Sequence, residues 1–342
     1  MRGRSPRQER TTHPRAESRE RASGQRGPDG LVGVVLVSAF FLSGATGLLY
    51  EVVWTRHLTL LLGTTALAVS TVLAAFMAGL GLGAWIFGRL VDRVGRAVLT
   101  YGLLELGVAT SALALPAILP GLEPLHRWAW ESFHPSFPAF SAIRFALVSA
   151  LLLVPTTLMG GTLPVLVAHF ARPGEGLGLR AGLLYGLNTS GAVLGAGVTG
   201  FLLLPRLGMT RTTLVAIGVN AGIGLIAVAL GLRERRSAAR REEAAETPTG
   251  RLERPTPLPG GQSRLAFVLG TAALSGFVAL LAEVAWTRVL TLVLGSSTYA
   301  FTIMLVTFLL GLALGSLAMA RLLRHLPATL TLLAGLQAGI GV

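Results

Sequence analysis

Two buried-type acids with identical company are the residues of this chain best suited to chemistry. Glu51 is followed by Trp54, Thr55 and Arg56, and Glu283 by Trp286, Thr287 and Arg288, all set in apolar sequence. On a helix, positions i, i+3 and i+4 share a face, so each Glu would lie beside its Trp and Thr. Ionisable groups at membrane depth are costly and normally face a cavity or a partner. Two readings of the residues are open. The acids form a pair of pseudo-symmetric sites that attract a cation, or each Glu pairs with its Arg and fixes helix register near the outer interface. Glu105, a single acid in its apolar run, is a further candidate for a buried functional carboxylate, and Asn188 joins the set as a group for a ligand or for pairing helices.

The elements that carry these groups are set by composition. Hydrophobic residues make up 52% of the 342-residue chain and charged residues 13%, about half the charged share of a soluble domain. Uncharged runs at 31–50, 58–88, 145–168, 181–205, 212–232, 265–282 and 289–320, with 97–122 carrying only Glu105, are long enough to cross a bilayer. The expected fold is an all-α polytopic membrane protein.

All 29 basic residues are Arg. If the spans alternate from a cytoplasmic N-terminus, segments 1–30, 89–96, 171–180 and 233–264 hold 21 of them, and 123–144 with 206–211 hold four. That asymmetry orients helices with the positive side inside. It also accounts for the net charge of +13 without nucleic acid as a partner. The lack of Cys excludes disulfides and thiolate chemistry. Neither a metal-ligand cluster nor a His-paired nucleophile is visible, so no metal, cofactor or catalytic residue is assigned. Gly195, Gly197 and Gly200 match a dinucleotide fingerprint, but inside an apolar run, where the motif lacks its strand-to-helix setting and reads as helix packing.

The acids mark a duplication. Residues 43–63 return at 275–295, with 14 of 21 positions identical at an offset of 232, and the match continues through Phe76/Phe308, Gly79/Gly311, Gly83/Gly315 and Arg89/Arg321. Six spans precede the second copy, so both copies should run in the same direction. The expected organisation is a disordered Arg-rich cytoplasmic tail at 1–30, a six-helix repeat at 31–232, a cytoplasmic linker at 233–264 and the start of a second repeat at 265–342. On that reading the second half is truncated and the chain is a fragment. Small residues four apart (Gly79/Gly83, Gly191/Gly195, Gly218/Gly222, Gly311/Gly315) are expected to let helices approach closely.

Between the second and third spans, Gly88, Asp92, Arg93, Gly95 and Arg96 form a loop that resembles the cytoplasmic signature of major facilitator proteins. Together with the repeated Ser-Gly and Glu-Val-x-Trp-Thr-Arg motifs, Pro155 to Pro164, Leu184 to Gly195 and Gly200 to Gly208, the chain over about 31–325 resembles the membrane part of fused major facilitator/spermidine synthase proteins of bacteria. The resemblance implies a major-facilitator-like helical bundle in the bacterial inner membrane with a parallel internal repeat. It also implies a fused or associated soluble synthase domain, to which decarboxylated S-adenosylmethionine and the aminopropyl transfer would belong. The function so implied is a membrane anchor for that enzyme that also handles polyamines. The other open reading is a major-facilitator-type transporter of a small cation without enzymatic function.

Overall fold

The computed structural model describes residues 30–62, 65–133, 136–170, 177–244, 261–295, 297–323 and 329–340. Most of the N-terminal tail and residues 245–260 of the linker lie outside them. The elements are α1 (Leu31–Leu62), α2 (Thr65–Val94), α3 (Ala97–Phe133), α4 (Phe137–Phe170), α5 (Leu177–Val198), a π-helical turn (Thr199–Leu203), α6 (Leu204–Ala244), α7 (Gly261–Leu294), α8 (Ser297–Leu322) and α9 (Leu330–Ile340). No strand occurs among the described residues. In hydrocarbon a helix satisfies every interior backbone donor and acceptor within itself, which is why apolar runs of this length take no other form.

Among the described residues seven helical segments are long and apolar enough to cross a membrane, and the fifth, Gly178–Arg236, is 59 residues long. As one straight rod it would measure about 88 Å, nearly three bilayer cores. It is broken at Gly208, where φ 71° and ψ 179° leave the helical region and only glycine enters without strain. Each part, 178–207 and 209–236, is long enough to cross alone. The described residues therefore hold eight crossing-length pieces, in line with the apolar runs. Beyond them α6 continues to Ala244, into the segment read as linker. Its Arg, Glu and Ala residues are good helix formers, which explains why charge alone does not end the helix.

Packing follows the small residues at two of the four glycine pairs. A side chain at Gly79 or Gly83 on α2 would strike Thr156 or Thr157 on α4, and one at Gly191 or Gly195 on α5 would strike the backbone at Phe41 or Ala45 on α1. Apolar burial gives little drive within lipid, so such close backbone approach is what holds these pairs. Gly218, Gly222, Gly311 and Gly315 meet no neighbour; for them the packing expectation fails. Gly195 and Gly200 lie in helical backbone against Ala45 and Thr302, a helix-packing setting.

Three apolar clusters result. One surrounds Trp54 and Phe76, and a second surrounds Phe40, Tyr101 and Leu166. The third joins the two parts of the chain, bringing Val52, Val69, Ala192 and Ala196 against Phe301, Met304 and Leu305 of α8. In the turn after α2, Gly95 has φ 58°, as a tight turn requires. Gly88 is inside α2, and Arg89 stacks over the Trp85 ring at 4.2 Å. Arg96 is exposed, whereas the side chains of Asp92 and Arg93 lie outside the described ones.

Candidate functional site

Glu51 lies well inside α1, which runs on to Leu62, and only 1% of it is exposed. Its neighbours explain why. Trp54, 3% exposed, stacks on Tyr50 with ring centroids 5.2 Å apart and sits 6.4 Å from Phe76. Val52 faces the other way, into the joint with α8. With both flanks anchored, the intervening Glu is held inside the bundle.

Neither carboxylate oxygen of Glu51 has a hydrogen-bond partner, nor has the Thr55 hydroxyl one turn later. Glu283 on α7 is equally buried and both its oxygens are equally unpartnered. Thr287 donates instead to the Glu283 backbone carbonyl at 2.9 Å. The two carboxyls are near enough to interact electrostatically.

Hydrogen-bonded pairing of each Glu with its Arg is not formed. Arg56 is exposed and donates from Nη1 to the Thr298 hydroxyl on α8, and Arg288 is exposed on α7. Geometry accounts for this. A residue five positions on is rotated by about 140° round the helix, so Glu and Arg leave from different faces. Trp286 also departs from its counterpart. It is 62% exposed and lines, with Glu283, Phe308 and Gln337, a cleft of about 1100 Å³ between α7, α8 and α9.

Glu105 on α3 is fully buried and satisfied by neutral donors. Ser43 Oγ of α1 donates to Oε1 at 2.5 Å, and Asn220 Nδ2 of α6 donates to Oε2 at 2.5 Å. Tyr101, one turn earlier on α3, brings its hydroxyl within hydrogen-bonding reach of the same carboxylate, and Tyr50 on α1 is within electrostatic range of it, with its own hydroxyl unpartnered. Ser43, Tyr101 and Asn220 were absent from the sequence-derived set. Asn220 could have been flagged as the only amide within the 212–232 run, and Ser43 because it recurs as Ser275.

Asn188 pairs helices: its Nδ2 donates to the Phe40 carbonyl at 2.9 Å where α5 crosses α1 beside Gly44. Among the described residues no group of three His, Asp or Glu side chains could hold a metal ion. Fold and site together define an all-helical polytopic membrane protein with three buried carboxyls among the described residues, two of them without hydrogen-bond partners. No protein family, curated protein or solved structure matches this chain.

Proposed function

We propose that this chain is the membrane domain of a spermidine-synthase-like fusion of major-facilitator build, and that it binds and passes a polyamine-class cation. In this reading the N-terminus is cytoplasmic, the membrane is the bacterial inner membrane, and the aminopropyltransferase domain with its decarboxylated S-adenosylmethionine lies outside this chain. One observation carries the cation part: Glu51 and Glu283 are both buried, within electrostatic range of each other and without a hydrogen-bond partner. Two such acids are costly in an apolar interior unless they take up protons or a positive charge joins them. An organic diammonium supplies one charge to each, and the cleft reaching Glu283 gives it a way in. The repeated motif on α1 and α7, with α8 seated against α5, supports the parallel-repeat build.

The test is binding and flux of labelled spermidine in proteoliposomes holding the full chain. Saturable binding that falls at least about ten-fold in Glu51→Gln/Glu283→Gln is expected; undiminished binding in that variant sinks the cation reading. Flux that needs no synthase domain would favour the plain transporter instead. Reporter fusions check the orientation: residue 130 should lie outside and residue 250 in the cytoplasm, and both on one side would defeat it.

A further inference from the structure

The Glu105 cluster is a separate constellation, built wholly from α1, α3 and α6, and the polyamine reading makes no use of it. Its atoms are all oxygens apart from the Asn220 amide nitrogen. Ser43 and Asn220 each occupy one lone pair of the carboxylate, leaving others free. Tyr101 adds a third neutral donor from α3, while the Tyr50 hydroxyl and the Asn220 Oδ1 are buried and have no hydrogen-bond partner. Buried polar atoms are nearly always satisfied, so two orphan oxygens in the neighbourhood of one carboxylate call for an occupant.

The chemistry of that occupant follows from charge and ligand type. Carboxylate, amide carbonyl and hydroxyl oxygens are hard ligands that suit alkali and alkaline-earth ions rather than transition metals. The groups close to Glu105 (Ser43, Asn220, Tyr50 and Tyr101) are all neutral. A single positive charge brings the cluster to neutrality, whereas a divalent ion would leave a net charge buried in the bundle, which is expensive. Phe40, Leu104 and Ile223 wall the cluster, so the fit is to a bare ion rather than to an ammonium with a hydrocarbon body.

We propose that Glu105, Asn220, Ser43, Tyr50 and Tyr101, brought together from α1, α3 and α6, form a binding site for a monovalent metal cation, sodium in the first instance. The ion is bound in addition to the organic cation and at a different place.

The experiment follows thermal unfolding of the full chain in lipid nanodiscs as NaCl replaces choline chloride at constant ionic strength. A saturable rise in Tm with sodium is expected, absent in Glu105→Gln. Should Glu105→Gln fail to fold, Tyr101→Phe, which removes one oxygen only, should weaken apparent sodium affinity at least about ten-fold. Glu51→Gln/Glu283→Gln should keep the full sodium response, so failure of the polyamine reading leaves this result intact. Equal responses to sodium and choline in the unaltered chain would overturn the proposal. So would a sodium response that survives Glu105→Gln or Tyr101→Phe unchanged, or one lost only in the Glu51/Glu283 variant.

Discussion

α1 and α7 carry the same Glu-Val-x-Trp-Thr-Arg sequence and use it differently. On α1 the Trp is packed into the core and stacked on Tyr50, and the Arg ties α1 to α8 through Thr298. On α7 the Trp stands at the edge of a cleft and the Arg is exposed. The acids are more alike, since each is buried and without a hydrogen-bond partner, within electrostatic range of the other. A repeated motif therefore fixes the helix and the face, but the neighbours that pack on that face decide what each side chain does. Where both copies remain alike despite different neighbours, at the two Glu positions, a shared role is the simplest physical account.

The largest test of this contrast is at the tryptophans. Trp54→Ala opens a cavity in a packed cluster and should cost about 3 kcal/mol or more, read as a large fall in Tm. Trp286→Ala should leave Tm nearly unchanged and weaken spermidine binding, because it removes a cleft wall with an aromatic face for a cation. Equal losses of stability would mean that the two helices are packed alike, against the exposures of 3% and 62%.

A smaller effect tests the likeness of the acids. If Glu51 and Glu283 act as one unit, Glu51→Gln and Glu283→Gln should each lower spermidine affinity by about ten-fold. The double variant should then be little worse than either single, as strongly coupled groups are non-additive. Strictly additive losses would separate the two acids into independent sites.

Much of this arrangement was legible in the sequence, and the reasons for the rest are specific. Crossing helices could be counted from apolar runs because the bilayer leaves the backbone one solution; even the run past Gly208 resolves into two. The acids stood out because duplication repeats them. The contacts of Glu105 did not, since Ser43 and Asn220 lie 62 and 115 positions away along the chain, and no local pattern reports which faces of α1, α3 and α6 meet. Glycine spacing misled in part for the same reason. Gly83 and Gly315 have matching places in the repeat, yet among the described residues a side chain at Gly83 would strike Thr157 and one at Gly315 would meet nothing.

The smallest expected effect concerns the arginines, where the sequence left pairing with Glu open. Were Arg56 the partner of Glu51, Arg56→Gln would strand a buried charge, and a cost of about 3–5 kcal/mol would follow. Arg56 instead gives an exposed hydrogen bond to Thr298, worth about 0.5–1.5 kcal/mol at most. Arg56→Gln should therefore lower Tm only slightly, by loosening the joint between α1 and α8. Arg288→Gln should change it less still, since that side chain is exposed on α7. Spermidine affinity should hold or rise in both, because each removes a positive charge from the neighbourhood of the acids. A collapse of stability in Arg56→Gln would restore the Glu–Arg pair and remove the vacancy on which cation binding at Glu51 and Glu283 depends.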